Sequence, residues 1–352
     1  MSQMQTSNLS SDALEKNLFL KLIFFSTMLP MVLLPLLAVK NETLNSLSIT
    51  QVIGVITFFG GAVHVAASGY FYNRPEFKEV FKGHPIRYFI APVVIILATG
   101  LLFQFGNPQV QATTLLSYFL WQTYHYQRQN FGVMTFVGIA TKTKPLSYFE
   151  QLAMQLSVGA GILALTSHYK LSTNTILEPY AEALYQSSFV VFKVVGILIF
   201  IVFFQIFDPL KSSSEVTLKN KLIRFIFFLM SSLFFLPAIL FNNPIAAVSS
   251  YALAHGIQYL VFMHYVVDVG PKEQSHNRFS KYIIWVCIGG GIITMLGDQR
   301  IWGSFGKLIF GCYLGVIMTH FLLDAGVWKL SQSRQYQFAT NAFPFLLKSK
   351  DS

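Results

Sequence analysis

Ten stretches of about 20 predominantly apolar residues follow one another along this chain, separated by short polar segments. A helix of that length spans a bilayer, whose hydrocarbon core is about 30 Å thick, because each residue adds about 1.5 Å. Charged residues make up 11% of the chain, against about 25% in soluble domains. We therefore predict an all-α, polytopic transmembrane bundle with spans at residues 18–39, 49–72, 86–105, 110–138, 148–168, 186–207, 222–241, 245–267, 281–298 and 304–327.

The basic residues give an independent test of this number of spans. With a cytoplasmic N-terminus, nineteen Lys and Arg fall in cytoplasmic tails and loops, four fall on the opposite side, and two lie within spans. This asymmetry is what the positive-inside rule expects. It predicts cytoplasmic tails at 1–17 and 329–352 around a helical domain at 18–328. The net charge is +10, and the basic residues that produce it lie beside helix ends, where they orient the protein and contact membrane lipid. We therefore expect no nucleic-acid partner.

Histidine occurs inside four different apolar stretches, at His64, His125, His255 and His320. In the predicted topology their four helices run in the same direction. Each histidine then lies about 10 to 16 residues into its helix, which places all four within about 10 Å of one another along the membrane normal. A single buried histidine often serves only as a hydrogen-bonding contact between helices. Four at one depth predict a site, because ionisable groups at membrane depth are costly without a partner.

A carboxylate accompanies one of these histidines. Asp324 follows His320 by one helical turn, and residues four apart share a helix face. We predict that Asp324 is a fifth metal ligand or a group that orients a ligand. His264 also has a carboxylate one turn later, Asp268, but this pair lies near the predicted cytoplasmic end of its helix and points away from His255.

Three more polar residues are candidates for catalytic roles. Arg128 lies three residues after His125, and Gln258 and Tyr259 follow His255 by one turn. We predict that Gln258 and Arg128 orient ligands or bound oxygen and that Tyr259 lines the cavity for the substrate. Arg128 in particular keeps its charge at any depth and therefore needs a partner.

Several imidazoles inside a membrane suit a metal ion, since neutral histidine nitrogens bind iron, zinc and copper. Four such ligands leave open positions on a six-coordinate iron, where oxygen and substrate can meet. We therefore predict a non-haem iron oxygenase or related oxidoreductase acting on a hydrophobic small molecule that enters from the bilayer. Two alternatives stay open. One is a haem-binding electron-transfer protein with axial histidines; the other is a transporter whose polar relay is His125, Arg128, His320 and Asp324.

The arrangement resembles the Brp/Blh family of integral-membrane β-carotene dioxygenases, multi-pass bacterial proteins whose iron is held by four histidines. Residues 124–132 and 320–329 also look like motifs of uncharacterised His-rich multi-pass bacterial membrane proteins. The resemblance implies a bacterial inner (cytoplasmic) membrane location and oxidative chemistry on a polyene. The chain departs from that family in lacking paired histidines on one helix, because His255 and His264 are spaced wrongly to share a face.

Overall fold

The computed structural model describes residues 2–40, 58–168, 175–208, 216–241, 244–270 and 275–347. In this part of the chain the regular structure is entirely helical, as predicted. Two π-helical turns, Phe58–Ala62 and Ile86–Ile90, run directly into α2 and α4. The α-helices are α1 (Ser2–Lys40), α2 (Val63–Gly69), α3 (Pro75–Gly83), α4 (Ala91–Phe105), α5 (Pro108–Ala140), α6 (Tyr148–Ser167), α7 (Ala181–Phe207), α8 (Leu218–Ser232), α9 (Leu236–Leu240), α10 (Pro244–Val267), α11 (Ser275–Gly297), α12 (Gly306–Val327), α13 (Ser333–Ala342) and α14 (Pro344–Leu347).

Helix is present in every predicted stretch, as far as the structure describes it. The stretch predicted at 86–105 coincides with the continuous helix Ile86–Phe105, whereas residues 49–57 lie outside the described residues. The stretch at 222–241 differs, since α8 ends at Ser232 and a separate short helix begins at Leu236. Pro237 accounts for this break, because a proline ring clashes with the carbonyl four residues earlier in a continuous helix.

Four helices among the described residues are long and apolar enough to cross a membrane: Ile86–Phe105, Glu178–Phe207, Ser275–Gly297 and Gln299–Val327. In the first three, only 22%, 17% and 17% of the most apolar 18-residue window is buried within the protein. Large apolar side chains therefore cover the outer faces of these helices, to an extent that soluble monomers rarely show. These surfaces indicate a membrane protein.

The helices that carry the four histidines meet one another. The most extensive helix pairs are α6 with α7, α4 with α12, and α1 with α10. Between them, α2 contacts both α10 and α12, and α5 contacts the same two helices. The helices α2, α5, α10 and α12 thus form a closed set of contacts, with one histidine on each.

The segment after α12, predicted as a tail, is structured as far as residue 347 and packs against the helical core. Phe343 is completely buried, and its ring lies 5.8 Å from Phe19, 5.0 Å from Phe136 and 5.7 Å from Phe262, measured between ring centroids. Such aromatic pairs prefer edge-to-face or tilted geometry over direct stacking. The contacts join the C-terminal segment to α1, α5 and α10.

Candidate metal centre

Close helix packing brings His64 to the centre of the molecule. The π-helical turn before α2 contains Gly60, where an added Cβ would lie 2.9 Å from the Leu253 backbone of α10. On the other side of α2, a Cβ at Gly290 of α11 would lie 2.8 Å from the Val63 side chain. Any larger residue at these two positions would force α2 away from its neighbours. Single π-turns inside helices also occur frequently at functional sites.

The four histidine side chains converge on one point. Nε2 of His64 lies 2.9 Å from Nε2 of His320 and 3.0 Å from Nε2 of His255. One ring nitrogen from each of the four histidines, His125 included, lies within 4.8 Å of the other three. All four side chains are buried, with at most 7% of their surface exposed. The structure therefore brings together the four histidines that the sequence analysis grouped by depth.

Hydrogen bonds among the rings cannot satisfy this arrangement. A neutral imidazole has one N–H and one lone pair, on different nitrogens, so each nitrogen forms one good hydrogen bond. Nε2 of His64 nevertheless has two close nitrogen neighbours, and Nε2 of His125 has no hydrogen-bond partner among the described residues. A cation between the rings would use all these lone pairs at once, so this buried four-histidine group could bind a metal ion.

Outer contacts fix the orientation of some rings. Nδ1 of His320 donates to the Ile317 carbonyl one turn earlier, which leaves its Nε2 free to act as a ligand. Nδ1 of His64 and of His255 have no partner among the described residues. The rings of these two histidines are instead held by aromatic neighbours: Tyr259 lies 4.3 Å from His64 and Tyr126 lies 4.2 Å from His255, between ring centroids.

Asp324 borders the four-histidine group without being part of the mutually close set of nitrogens. Its Oδ2 lies 3.8 Å from Nε2 of His125, and its Oδ1 accepts a 2.8 Å hydrogen bond from the Tyr259 hydroxyl. That hydroxyl in turn accepts a 3.0 Å hydrogen bond from Oγ of Ser68. The carboxylate is thus held on one oxygen, and the other oxygen faces the histidines.

The other two predicted catalytic residues, Gln258 and Arg128, form their contacts with groups other than the imidazoles. Gln258 is buried, accepts a 2.9 Å hydrogen bond from Gln129 and donates to Thr27, so its side-chain hydrogen bonds link α10 to α5 and α1. Arg128 is exposed, and its guanidinium lies 6.0 Å from the Phe131 ring, away from the cluster. A spacing of three residues from His125 did not bring its side chain to the site, because α5 presents that edge to the outside.

The pair predicted from His264 and Asp268 is likewise absent from the described contacts. His264 is exposed and lies against the Phe279 ring, at 5.7 Å between centroids. Asp268 accepts a hydrogen bond from Ser275 and lies 3.8 Å from the Arg278 guanidinium. Helical spacing alone made the pairing plausible, but residues from the next helix take the carboxylate.

Sequence reasoning missed one close neighbour of the site. The Phe321 ring stacks on His125, with 4.3 Å between centroids and 25° between the planes. It also lies against His320, the preceding residue in the chain. Nothing in the sequence distinguishes this residue from the other members of a set of 35 phenylalanines.

Comparison with protein-family models, with curated proteins and with solved structures found nothing similar to this chain. Its functional interpretation therefore depends on the geometry of the site.

Proposed function

We propose that this chain is a ten-span membrane protein with both termini cytoplasmic, in which His64, His125, His255 and His320 bind a non-haem iron ion. We further propose that it is an oxygenase or related oxidoreductase acting on a lipid- or polyene-like substrate in a bacterial cytoplasmic membrane. The observation that carries the proposal is the convergence of four buried imidazoles, with one nitrogen of each within 4.8 Å of the others. The resemblance to β-carotene dioxygenases agrees with this chemistry and stays a proposal.

The nitrogen spacing is compatible with ligation to one metal ion. Two nitrogens bound to the same ion at about 2.1 Å lie about 3.0 Å apart when they subtend a right angle, and about 3.4 Å apart in a tetrahedron. Nε2 of His64 lies 2.9 Å from Nε2 of His320 and 3.0 Å from Nε2 of His255. We propose iron because four imidazoles leave two positions of a six-coordinate ion open for oxygen and substrate, whereas four ligands close a structural zinc site.

The positions of the histidines and of Arg128 argue against the two alternatives. Haem takes two axial nitrogens on opposite faces of a plane that the porphyrin fills. Here His64 lies within 3.0 Å of two other histidines, which leaves little space for such a plane. A transport relay through Arg128 would need that side chain at the site, but it is exposed. Non-haem metal chemistry is the function that the geometry supports best.

The surroundings of the site support a hydrophobic substrate. Rings of Phe321, Tyr126 and Tyr259 lie 4.2 to 4.3 Å from the imidazoles, between centroids. Iron of this kind activates oxygen or substrate when bound. The chain itself supplies the four nitrogens, excludes water by burying them, and positions one carboxylate oxygen of Asp324 beside His125.

Metal analysis with an absorption spectrum on the detergent-purified full chain tests this proposal. We expect one iron per chain without a Soret band, lost in His64→Gln and retained in His276→Gln. The second variant is a matched control, since His276 is an exposed histidine outside the cluster. Equal metal content in both variants, or a Soret band, would refute the non-haem site. Oxygen uptake on addition of polyenes or unsaturated lipids to the iron-loaded protein then tests the reaction.

A further inference from the structure

A second polar region lies at the C-terminal end of α12, just beyond Asp324. A cavity of about 300 Å³ opens there between residues 79–88, residues 326–329 around the end of α12, and residues 332–335 around the start of α13. Its size is at the lower end of the range of about 300–1,000 Å³ usual for small-ligand sites. We call it the basic cavity, because its lining includes Arg87, Lys329 and Arg334 and one acidic residue, Glu79.

The two arginines of the basic cavity differ from most other arginines among the described residues, because they have no carboxylate within 4 Å. Four of the seven arginines lie within 4 Å of a carboxylate, and they are Arg74, Arg224, Arg278 and Arg300. Two of the other three, Arg87 and Arg334, line the basic cavity. The single acid, Glu79, lies 3.5 Å from Lys82, which is outside the lining. The cavity therefore concentrates positive charge that the described residues do not neutralise.

Contacts with the Leu322 carbonyl and the Tyr88 ring hold the Arg87 side chain in position. Its Nε donates a 3.0 Å hydrogen bond to the Leu322 carbonyl of α12, and its guanidinium lies 5.7 Å from the Tyr88 ring centroid. The two terminal nitrogens form no hydrogen bond among the described residues. A guanidinium fixed in this way presents paired donors at little further entropic cost, which suits a tetrahedral oxyanion.

We propose that the basic cavity binds a phosphate group, carried by an anionic phospholipid headgroup or by a soluble phosphate compound. Three cations against one acid suit a phosphate group, whose several oxygens can each accept a charge-assisted hydrogen bond, better than a single carboxylate. The backbone N–H groups at the start of α13 add donors, because the N-cap residue before the helix, Gln332, makes no side-chain capping bond. In the predicted topology the cavity faces the cytoplasm, where basic pockets beside membrane helices bind lipid headgroups.

The test uses the full chain, delipidated in detergent or placed in nanodiscs. Thermal unfolding is followed with inorganic phosphate or glycerol phosphate at constant ionic strength, and nanodiscs of phosphatidylglycerol are compared with nanodiscs of phosphatidylcholine. Stabilisation by a soluble phosphate assigns a soluble ligand. Stabilisation by phosphatidylglycerol alone assigns a headgroup. Stabilisation by neither overturns the proposal, whatever metal the protein holds.

Variants identify the residues responsible. We expect Arg87→Gln and Arg334→Gln each to weaken phosphate binding by about tenfold, the effect of losing one charge-assisted hydrogen bond. Arg334 is exposed, so its variant gives a result even if Arg87→Gln fails to fold. Lys78→Gln is the matched control, since Lys78 is an exposed cation on α3 outside the lining. Equal weakening in Lys78→Gln would show a general charge effect and overturn the site.

Discussion

Two buried polar clusters of this molecule differ in how completely their atoms are paired. Around Arg224, Nε and Nη2 donate to the two oxygens of Glu150 at 2.9 and 2.7 Å, and Nη1 donates to Oγ1 of Thr143 at 2.6 Å. In the four-histidine cluster, Nε2 of His125 has no hydrogen-bond partner among the described residues, and Nε2 of His64 has two close nitrogen neighbours that a neutral imidazole nitrogen cannot both satisfy. A saturated cluster stabilises the fold by itself, whereas buried nitrogens that converge without full pairing are available to a ligand. The four-histidine cluster could therefore bind a metal ion, and among the described residues the Arg224 cluster has no unused donors of this kind.

The largest expected effect comes from breaking the saturated cluster. Replacing Arg224 by Leu leaves the buried Glu150 carboxylate without its cation, and removing one member of a buried ion pair costs about 3–5 kcal/mol. We expect a loss of that size in the free energy of unfolding of the full chain in detergent, with or without added metal.

A double variant gives the control. Glu150 also caps α6, because its side chain accepts from the Ser147 backbone N–H while Ser147 accepts from the Glu150 N–H. Glutamine supports the same capping box without the charge. Arg224→Leu combined with Glu150→Gln should therefore regain much of the lost stability. If the double variant is no more stable than Arg224→Leu, the buried charge is not the cause of the loss.

The next largest effect is expected from adding a metal ion to the four-histidine cluster. A ligand that binds only the folded state stabilises it by about 2.7 kcal/mol at a concentration of 100 Kd. We expect ferrous iron to raise the thermal stability of the wild-type chain in this way and to leave His255→Gln unchanged. A wild-type chain whose unfolding does not respond to any divalent metal would contradict the assignment.

A smaller effect is expected from the hydrogen bond between Tyr259 and Asp324, which lies beside the four-histidine cluster. Tyr259 donates to Asp324, which faces His125, so Tyr259→Phe frees a carboxylate beside the cluster. Loss of such outer contacts lowers metal affinity by about 10–100-fold. Competition with a chelator measures the affinity, and the absorption spectrum of the cobalt-substituted protein reports the ligand geometry. An unchanged spectrum with reduced stability would mean that the hydroxyl only supports the fold.

The helices could be predicted because a spanning backbone leaves few alternatives. Apolar stretches of sufficient length must satisfy their own hydrogen bonds, and the stretch at 86–105 matches the helix Ile86–Phe105. The break after Ser232 was not predicted, although Pro237 was visible in the sequence. A proline alone does not say whether a membrane helix kinks or ends, because neighbouring helices can satisfy the freed backbone groups.

The site could be predicted only as far as depth determines it. Depth along each helix grouped the four histidines, because rise per residue is nearly constant. Rotation about each helix axis depends on packing with other helices, which a single sequence does not specify. Arg128 and Gln258 share a helix face with a histidine by spacing, yet one side chain is exposed and the other contacts α1 and α5. The number of spans, their orientation and the reaction stay predictions.

The smallest expected effect tests the difference between paired and unpaired buried polar atoms, on which the comparison of the two clusters depends. Tyr282 is buried on α11, and its hydroxyl has no partner among the described residues. Tyr282→Phe removes an unpaired polar atom, so we expect unchanged stability or a gain of up to about 1 kcal/mol, whereas Tyr259→Phe removes a paired hydroxyl and costs about 1 kcal/mol. Thermal unfolding of the two variants without metal measures the difference. If Tyr282→Phe is as destabilising as Tyr259→Phe, the lack of a hydrogen-bond partner in this structure does not identify an unpaired group, and the unpaired Nε2 of His125 no longer supports a ligand site.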